Sequence, residues 1–410
     1  MGNSLKSFLV AAILFGSMAF ACDARAGEID ILVEKLVEKG VLSYGEAQTI
    51  LTETQEEVRK ELVRGTSESL PQWIQTMKLK GDLRLRYQYE DKPNSDDRQR
   101  YRMRFRLGME SKVNDKVKVA AGLATGGTDP RSTNQTFDNT FETPDIRLDY
   151  AYATYTPNDW ATVKAGKIAG MKNVVMLQDD LLWDGDINPG GIALAFAKKS
   201  GDVTWMFNTG AFILDESSSD TSDPMMYVFQ PAMKYKISDT VSMEGGVAYW
   251  GFNGVKDSTL DHAEGGPTMT ASGYKYNFNS INPNFKLKVK EPFGGIVPAL
   301  SLFGEYIHNF DPDEAENGYL LGMAFGADKI KNRGDWQLKY IYRRLEKDAW
   351  LDTFPDSDAY SGETNVKGHE VILAYGLGPN TSLGVDYYQM KQIKGTGKVH
   401  ILQLDWLMKF

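Results

Sequence analysis

From Met77 onward the chain changes character at every second position, and this period of two limits the fold more than any motif does. Around residues 79–89, Leu79, Leu83, Leu85, Tyr87 and Tyr89 share one face, while Lys78, Lys80, Asp82, Arg84, Arg86 and Gln88 share the other. Residues 100–110 set Tyr101, Met103, Phe105, Leu107 and Met109 against Arg100, Arg102, Arg104, Arg106 and Glu110. A helix cannot sort residues this way, whereas a strand sends successive side chains to opposite faces. Similar segments recur at about 117–125, 146–156, 161–168, 191–198, 203–213, 225–236, 241–251 and 279–290. Others follow at about 298–308, 318–328, 335–345, 367–377, 382–393 and 398–410, which gives about sixteen strands.

The links between these strands fall into two kinds. Short turns occur at Asn114-Asp115, Pro157-Asn158-Asp159, Ser200-Gly201-Asp202, Ser238-Asp239 and Gly378-Pro379-Asn380, and they alternate with polar loops at about 127–145, 169–190, 214–224, 252–277 and 346–366. Alternating short and long links belong to an up-and-down barrel with turns at one rim and loops at the other. A soluble sandwich would use Greek-key links instead. A sixteen-stranded barrel is too wide to fill with side chains, so its interior is wet and its apolar face meets lipid. The fold class expected is therefore all-β and transmembrane: an antiparallel up-and-down β-barrel of about sixteen strands, preceded by a short α-helical hairpin. A mean hydropathy of −0.39, with no interior run of about 18 apolar residues, excludes a helical membrane protein but not a barrel. Tyr87, Tyr89, Tyr101, Phe105, Tyr150, Tyr152, Trp336, Tyr340 and Trp406 are the expected interfacial aromatics.

The N-terminus has the layout of a secretory signal. Lys6 precedes an apolar run from Phe8 to Ala21, too short to span a bilayer, and Ala24-Arg25-Ala26 offers a cleavage site before Gly27. Cys22 raises a lipoprotein alternative, which Phe20 disfavours. Cleavage after Ala26 takes the formal charge from −9 to −10 and removes the only cysteine, so no disulfide holds the mature chain. Three segments result: a signal over 1–26, a periplasmic helical segment over 27–70, and the barrel over 77–410. In the second, Ile29, Leu32, Val33, Leu36 and Val37 keep helical spacing up to Gly40. Ser43-Tyr44-Gly45-Glu46 then forms a capping-box pattern opening a second helix through Ala47, Ile50, Leu51, Val58 and Leu62. Such a pair serves as a linker or hairpin, or in trimerisation or cell-wall contact.

The final strand presents Leu402, Leu404, Trp406, Met408 and Phe410 as one apolar face. It resembles the C-terminal assembly signal of Gram-negative outer-membrane proteins. The mature chain as a whole resembles the putative porin family of barrels with a short N-terminal helical segment. That resemblance rests on Leu36-Val37-Glu38-Lys39-Gly40-Val41-Leu42-Ser43 with Glu46-Ala47, on Trp183-Asp184 and Asn188-Pro189-Gly190-Gly191, and on the strand and loop grammar. It implies an outer membrane location in a Gram-negative bacterium and passive diffusion of small hydrophilic solutes and ions. It also implies contact with outer-membrane lipid and lipopolysaccharide, delivery by the barrel-assembly machinery, and a homotrimer by analogy. In sixteen-stranded porins the third loop narrows the lumen, here Ala169–Gly190 with Asp179, Asp180, Asp184 and Asp186. Facing the bases Arg84, Arg86, Arg100, Arg102, Arg104 and Arg106, these acids would set a transverse field at a constriction. The alternative is a polar wall whose arginines pair with neighbouring acids. Lys286, Lys288 and Lys290 form a further basic lumenal row.

Other classes are disfavoured. His262, His308, His369 and His400 join no Ser-His-acid set by parity, so an enzyme is not expected. The acidic segment Asp311–Asn317 lacks the calcium-loop pattern, so no metal site is expected. No haem or iron–sulfur motif exists, so no cofactor is expected. Net acidity argues against nucleic acid. The competing reading is a barrel that acts as scaffold or sleeve for a partner protein and does not conduct alone.

Overall fold

Backbone that crosses lipid must satisfy its N–H and C=O groups internally, and a sheet can do this only by closing on itself. The computed structural model describes residues 33, 35–37, 39, 42–43, 45–53, 71–216 and 223–410. The signal-sequence reading lies outside the described residues, as do Ile29, Leu32, Gly40, Val58 and Leu62. The chain divides into two units, Met1–Gln75 and Thr76–Phe410.

In the first unit, residues 35–37 and 45–53 are helical and Gln72–Gln75 forms one turn. The Ser43 amide and hydroxyl donate to Glu46 Oε2 at 2.9 and 2.7 Å, and the Glu46 amide donates to Ser43 Oγ at 3.3 Å. This is the reciprocal cap that the Ser-x-x-Glu spacing encodes.

The second unit is a closed antiparallel barrel of sixteen long strands. These are β1 (Lys78–Asp91), β2 (Arg98–Lys112), β3 (Val117–Ala124), β4 (Arg147–Asn158), β5 (Ala161–Lys167) and β6 (Gly190–Ser200), then β7 (Val203–Ile213), β8 (Met225–Lys236), β9 (Val241–Asn253), β10 (Ser280–Lys290) and β11 (Ala299–Asn309), and finally β12 (Asn317–Gly326), β13 (Trp336–Leu345), β14 (Val366–Gly378), β15 (Thr381–Gln392) and β16 (Lys398–Lys409). Each pairs with its sequence neighbours, and β1 pairs with β16 from Asp82↔Lys409 to Asp91↔His400. Beyond β16, Gly81 and the terminal Phe410 exchange backbone hydrogen bonds of 2.7 and 3.0 Å. The links at the rim away from the termini are called L1–L8 in chain order; L3 covers 168–189, L5 covers 254–279 and L7 covers 346–365.

The apolar parity faces outward. Leu79, Leu148, Ile192, Leu321, Leu373 and Leu404 all carry exposed side chains there. The aromatics sort by height in the register. Tyr87, Tyr89, Tyr101, Tyr249, Tyr306 and Tyr340 lie toward the loop rim, and Trp160, Trp205, Trp336, Tyr375 and Trp406 toward the short-turn rim. Amphipathic rings at both interfaces match a membrane-spanning barrel.

Two expectations about the faces need correcting. Tyr150 and Tyr152 point into the lumen, because a register shift between Gly122 and Leu123 reverses the phase of β4. Leu148 remains outside, while Tyr150 lies opposite Gly122, where a Cβ would strike its ring, and a Cβ at Gly108 would strike its hydroxyl. Nor is the lumenal face polar all round. Phe212, Met226, Val228, Ala248, Trp250, Ile307, Leu320 and Ile341 have lumenal parity yet are buried, because L3, L5 and L7 fold inward onto them. Width leaves room inside this barrel, and part of that room is filled by loops that carry an apolar core.

Candidate functional site

The site is built from the charged wall of β1, β2 and β16 and from L3, which leaves the wall at β5 and returns at β6. L3 is held by its backbone to the opposite side of the lumen. The Met176 amide donates to Gln230 Oε1 at 2.7 Å, and Gln230 Nε2 and Asn284 Nδ2 donate to the Met176 carbonyl at 2.8 and 3.0 Å. The amides of Gln178 and Asp179 donate to Glu305 Oε1 at 2.6 and 2.7 Å. Three strand side chains thus satisfy a loop that carries no ladder of its own, which is how irregular backbone is tolerated at this depth.

L7 clamps L3 from above. The rings of Trp183 and Phe354 stack with centroids 4.5 Å apart, and Trp183 also meets Trp250 at 5.5 Å and Trp350 at 5.7 Å. The Asp184 amide donates to the Phe354 carbonyl at 2.7 Å. Burying aromatic groups of this size contributes several kcal/mol in total, at about 25 cal/mol per Å² of apolar surface.

The arginines lie on the lumenal face as a connected network. Arg86 binds Asp405 in a bidentate fork at 2.7 and 2.8 Å and reaches Asp358 of L7 at 2.9 Å. Arg104 and Arg106 share Asp82, each as close as 2.8 Å. Arg84 donates to Asn134 at 2.6 Å, Arg100 to Glu90 at 3.0 Å and Arg102 to Gln88 Oε1 at 3.2 Å. Lys286, Lys288 and Lys290 lie on the lumenal parity of β10, with Lys288 paired to Asp328.

Three of the four L3 acids divide between two walls, and the fourth, Asp184, faces L7. Asp186 meets Arg106 at 3.2 Å and accepts from the Thr133 amide and hydroxyl at 3.1 and 2.9 Å. Asp179 pairs with Lys339 at 3.0 Å and Asp180 with Arg343 at 3.0 Å, both bases on β13. Burial alone would raise the Asp179 carboxyl, but Lys339 outweighs it and holds the group down at about 2. Asp184 accepts from the Ser357 and Asp186 amides at 2.9 Å each. Burial, followed by the neighbouring Asp186, pushes its carboxyl up to about 8.

Asp180, Asp356 and Glu370 converge closely enough to hold a metal. The guanidinium of Arg343 already fills that position, bonding Asp180 at 3.0 Å, Asp356 at 3.1 Å and also Glu370. Burial and then Asp180 push Asp356 well up from the usual carboxylate range. A cavity of about 480 Å³ remains beside L3, lined by Lys80, Asp82, Arg106, Tyr150, Lys172 and Asp184 among others.

Lys339, Arg343 and the L7 aromatics did not emerge from the sequence. The available signal was Trp350 and Phe354 in a polar loop, because large rings in a solvated loop have no place to be buried. The histidines assemble no catalytic group among the described residues: His369 and His400 bond the outward Tyr340 and Tyr387 at 2.8 and 2.7 Å.

A closed barrel with an apolar belt, two aromatic girdles and an inward loop across a charged lumen is an outer-membrane channel of porin type. The chain belongs to the family described as Putative porin, whose model matches residues 89–290 and 295–410. Among solved structures it is similar to the high-pH structure of Pseudomonas putida OprB. That likeness has a TM-score of 0.54 and 12% identity over 82% of this chain and 94% of that one. A mutant of the Rh. blastica porin aligns with a TM-score of 0.46 and 11% identity over 82% of this chain and 100% of that chain. No curated protein matches the chain.

Proposed function

We propose that the protein passes small hydrophilic solutes and ions by passive diffusion through the gutter between L3 and the arginine wall. The observation that supports this most is the double anchoring of L3, by backbone to β8, β10 and β11 and by Asp186 to Arg106. It narrows the lumen and leaves charged groups of both signs beside the remaining space. Hydrated solutes can exchange water for such walls without a site tight enough to trap them. The sleeve reading is less favoured, since L3, L5 and L7 occupy lumen that a partner protein would need. The wider setting proposed is a Gram-negative outer membrane, reached through a cleaved signal and the barrel-assembly machinery. The final-strand residues Leu402, Leu404, Trp406, Met408 and Phe410 act there as the assembly signal, and the helical segment is periplasmic. A homotrimer is proposed by analogy with porins.

The test is conductance of the refolded protein in a planar bilayer under a salt gradient. Stepwise ohmic openings are expected. Arg102→Ala with Arg104→Ala should move the reversal potential toward cations, since Asp82 then keeps only Arg106. Insertion without current would overturn the channel reading, and an unchanged reversal potential would remove the arginine wall from it.

A further inference from the structure

On the outer surface of β13–β16, four bases fall directly opposite one another at the loop rim: Arg344↔Lys367, Lys367↔Lys391 and Lys391↔Lys398. Neighbouring strands are about 4.8 Å apart, so these like charges crowd a short arc. Like charges directly opposite destabilise a sheet unless something neutralises them. Arg344 has Glu346 at 2.8 Å. Among the described residues Lys367, Lys391 and Lys398 have no carboxylate partner, and Lys398 donates only to Gln389 at 3.5 Å.

The row below reads Tyr342, His369, Gln389 and His400, and the next reads Tyr340, Val371, Tyr387 and Leu402. Below those comes the exposed apolar belt with Leu338, Leu373, Val385 and Leu404. Hydrogen-bond donors, then bases, therefore stand just above the tyrosine girdle, at headgroup height on the leaflet facing the long loops. The Tyr340 and Tyr387 hydroxyls bond Nδ1 of His369 and His400, which leaves each Nε2 for another partner. A hollow of about 330 Å³ opens between Lys367, His369, Gln389, Lys391 and Lys398.

We propose that this surface is a binding site for the phosphate of an outer-leaflet glycolipid, with Lys367, Lys391 and Lys398 as its charge clamp and the acyl chains lying on the apolar belt beneath. Charge complementarity and height in the membrane identify the occupant as a lipid rather than a soluble anion. The site is independent of the lumen, so its failure would leave the channel reading untouched.

The test measures lipid retained by the full-length refolded protein in mixed micelles, by native mass spectrometry. The probes are diphosphoryl lipid A, its dephosphorylated form and inorganic phosphate. The wild-type protein should retain the phosphorylated lipid preferentially, and inorganic phosphate should not displace it. Replacing Lys367, Lys391 and Lys398 together by Gln should cut retention at least about tenfold, given that each basic residue near an anionic surface contributes severalfold. Lys198→Gln at the opposite rim should leave retention as it was. Equal retention of both lipid forms by the wild type, equal retention by a heat-modifiable triple variant, or displacement by inorganic phosphate would overturn the proposal. The wild-type lipid comparison decides the matter even if the triple variant does not fold.

Discussion

Trp350 of L7 donates its indole N–H to the carbonyl of Leu182 in L3, at 2.9 Å, and both residues are fully buried. Two loops that leave the same rim from well-separated strands are thereby tied together inside the lumen. The position of L3 is thus set from two sides, by strand side chains below it and by L7 above.

Trp350→Ala removes that bond and the ring contacts with Trp183, Trp250 and Phe252. A cost of about 3–5 kcal/mol is expected for emptying such a site. The barrel should persist, because its ladder is unaffected, while single-channel recordings should show a larger and noisier current. Unchanged conductance and noise would mean that L7 does not hold L3.

Asp184 gives the channel a pH signature. With its carboxyl pushed up to about 8, it is neutral through the mildly acidic range and gains a negative charge above that value, next to Asp186. Cation preference should therefore rise as pH passes through about 8, and Asp184→Asn should abolish the step in reversal potential. The linked stability runs the other way. The folded state holds its proton more tightly than the unfolded chain, so stability falls as pH rises from the ordinary aspartate value of 3.8 to about 8 and is level beyond. Denaturation midpoints of the wild type and Asp184→Asn across that window would show it.

Leu404 is exposed on the apolar belt, two register rows from Trp406 on the loop side. Leu404→Arg should cost about 2–4 kcal/mol of folding into a bilayer, as a charge at mid-depth on a barrel does. The same substitution in a detergent micelle, where the belt is thinner and more pliant, should cost less. Equal stabilities in lipid vesicles before and after substitution would contradict the assignment of this face.

The C-terminal residue closes the ladder. Phe410 exchanges backbone bonds with Gly81 and its ring lies 6.2 Å from that of Phe105, in space that a Cβ at Gly81 would occupy. Deleting Phe410 should lower the yield of assembled barrel in the membrane severalfold. Gly81→Val should do the same with the last strand intact, and normal heat-modifiable yields for both would exclude this contact as a step in closure.

The barrel was legible because lipid enforces one rule on every strand: the outward residue is apolar, and the link lengths alternate. Arg84 through Arg106 were placed on the lumenal face by the same parity. The rule fails where a local event breaks the count, as at the register shift that turns Tyr150 inward, because backbone irregularity leaves no mark on the alternation. It also fails where the lumen is not water. Trp250 and Ile341 alternate as lumenal residues should, but what covers them comes from L3 and L7, far away in sequence. Asp179 and Asp180 were expected opposite the β1–β2 arginines; their partners are Lys339 and Arg343, and nothing local to L3 names β13.

With the exposed Trp73 of the first unit replaced by Phe, the remaining seven tryptophans fall into two populations and make the barrel its own optical probe. Trp160, Trp205, Trp336 and Trp406 lie outward at the short-turn rim, whereas Trp183, Trp250 and Trp350 are shielded in the lumenal core. A quencher carried on lipid chains reaches the first set, and a water-soluble one reaches the second only when the loops part. Emission from an unlabelled sample thus separates membrane insertion from loop release, two events that electrical recording registers as one.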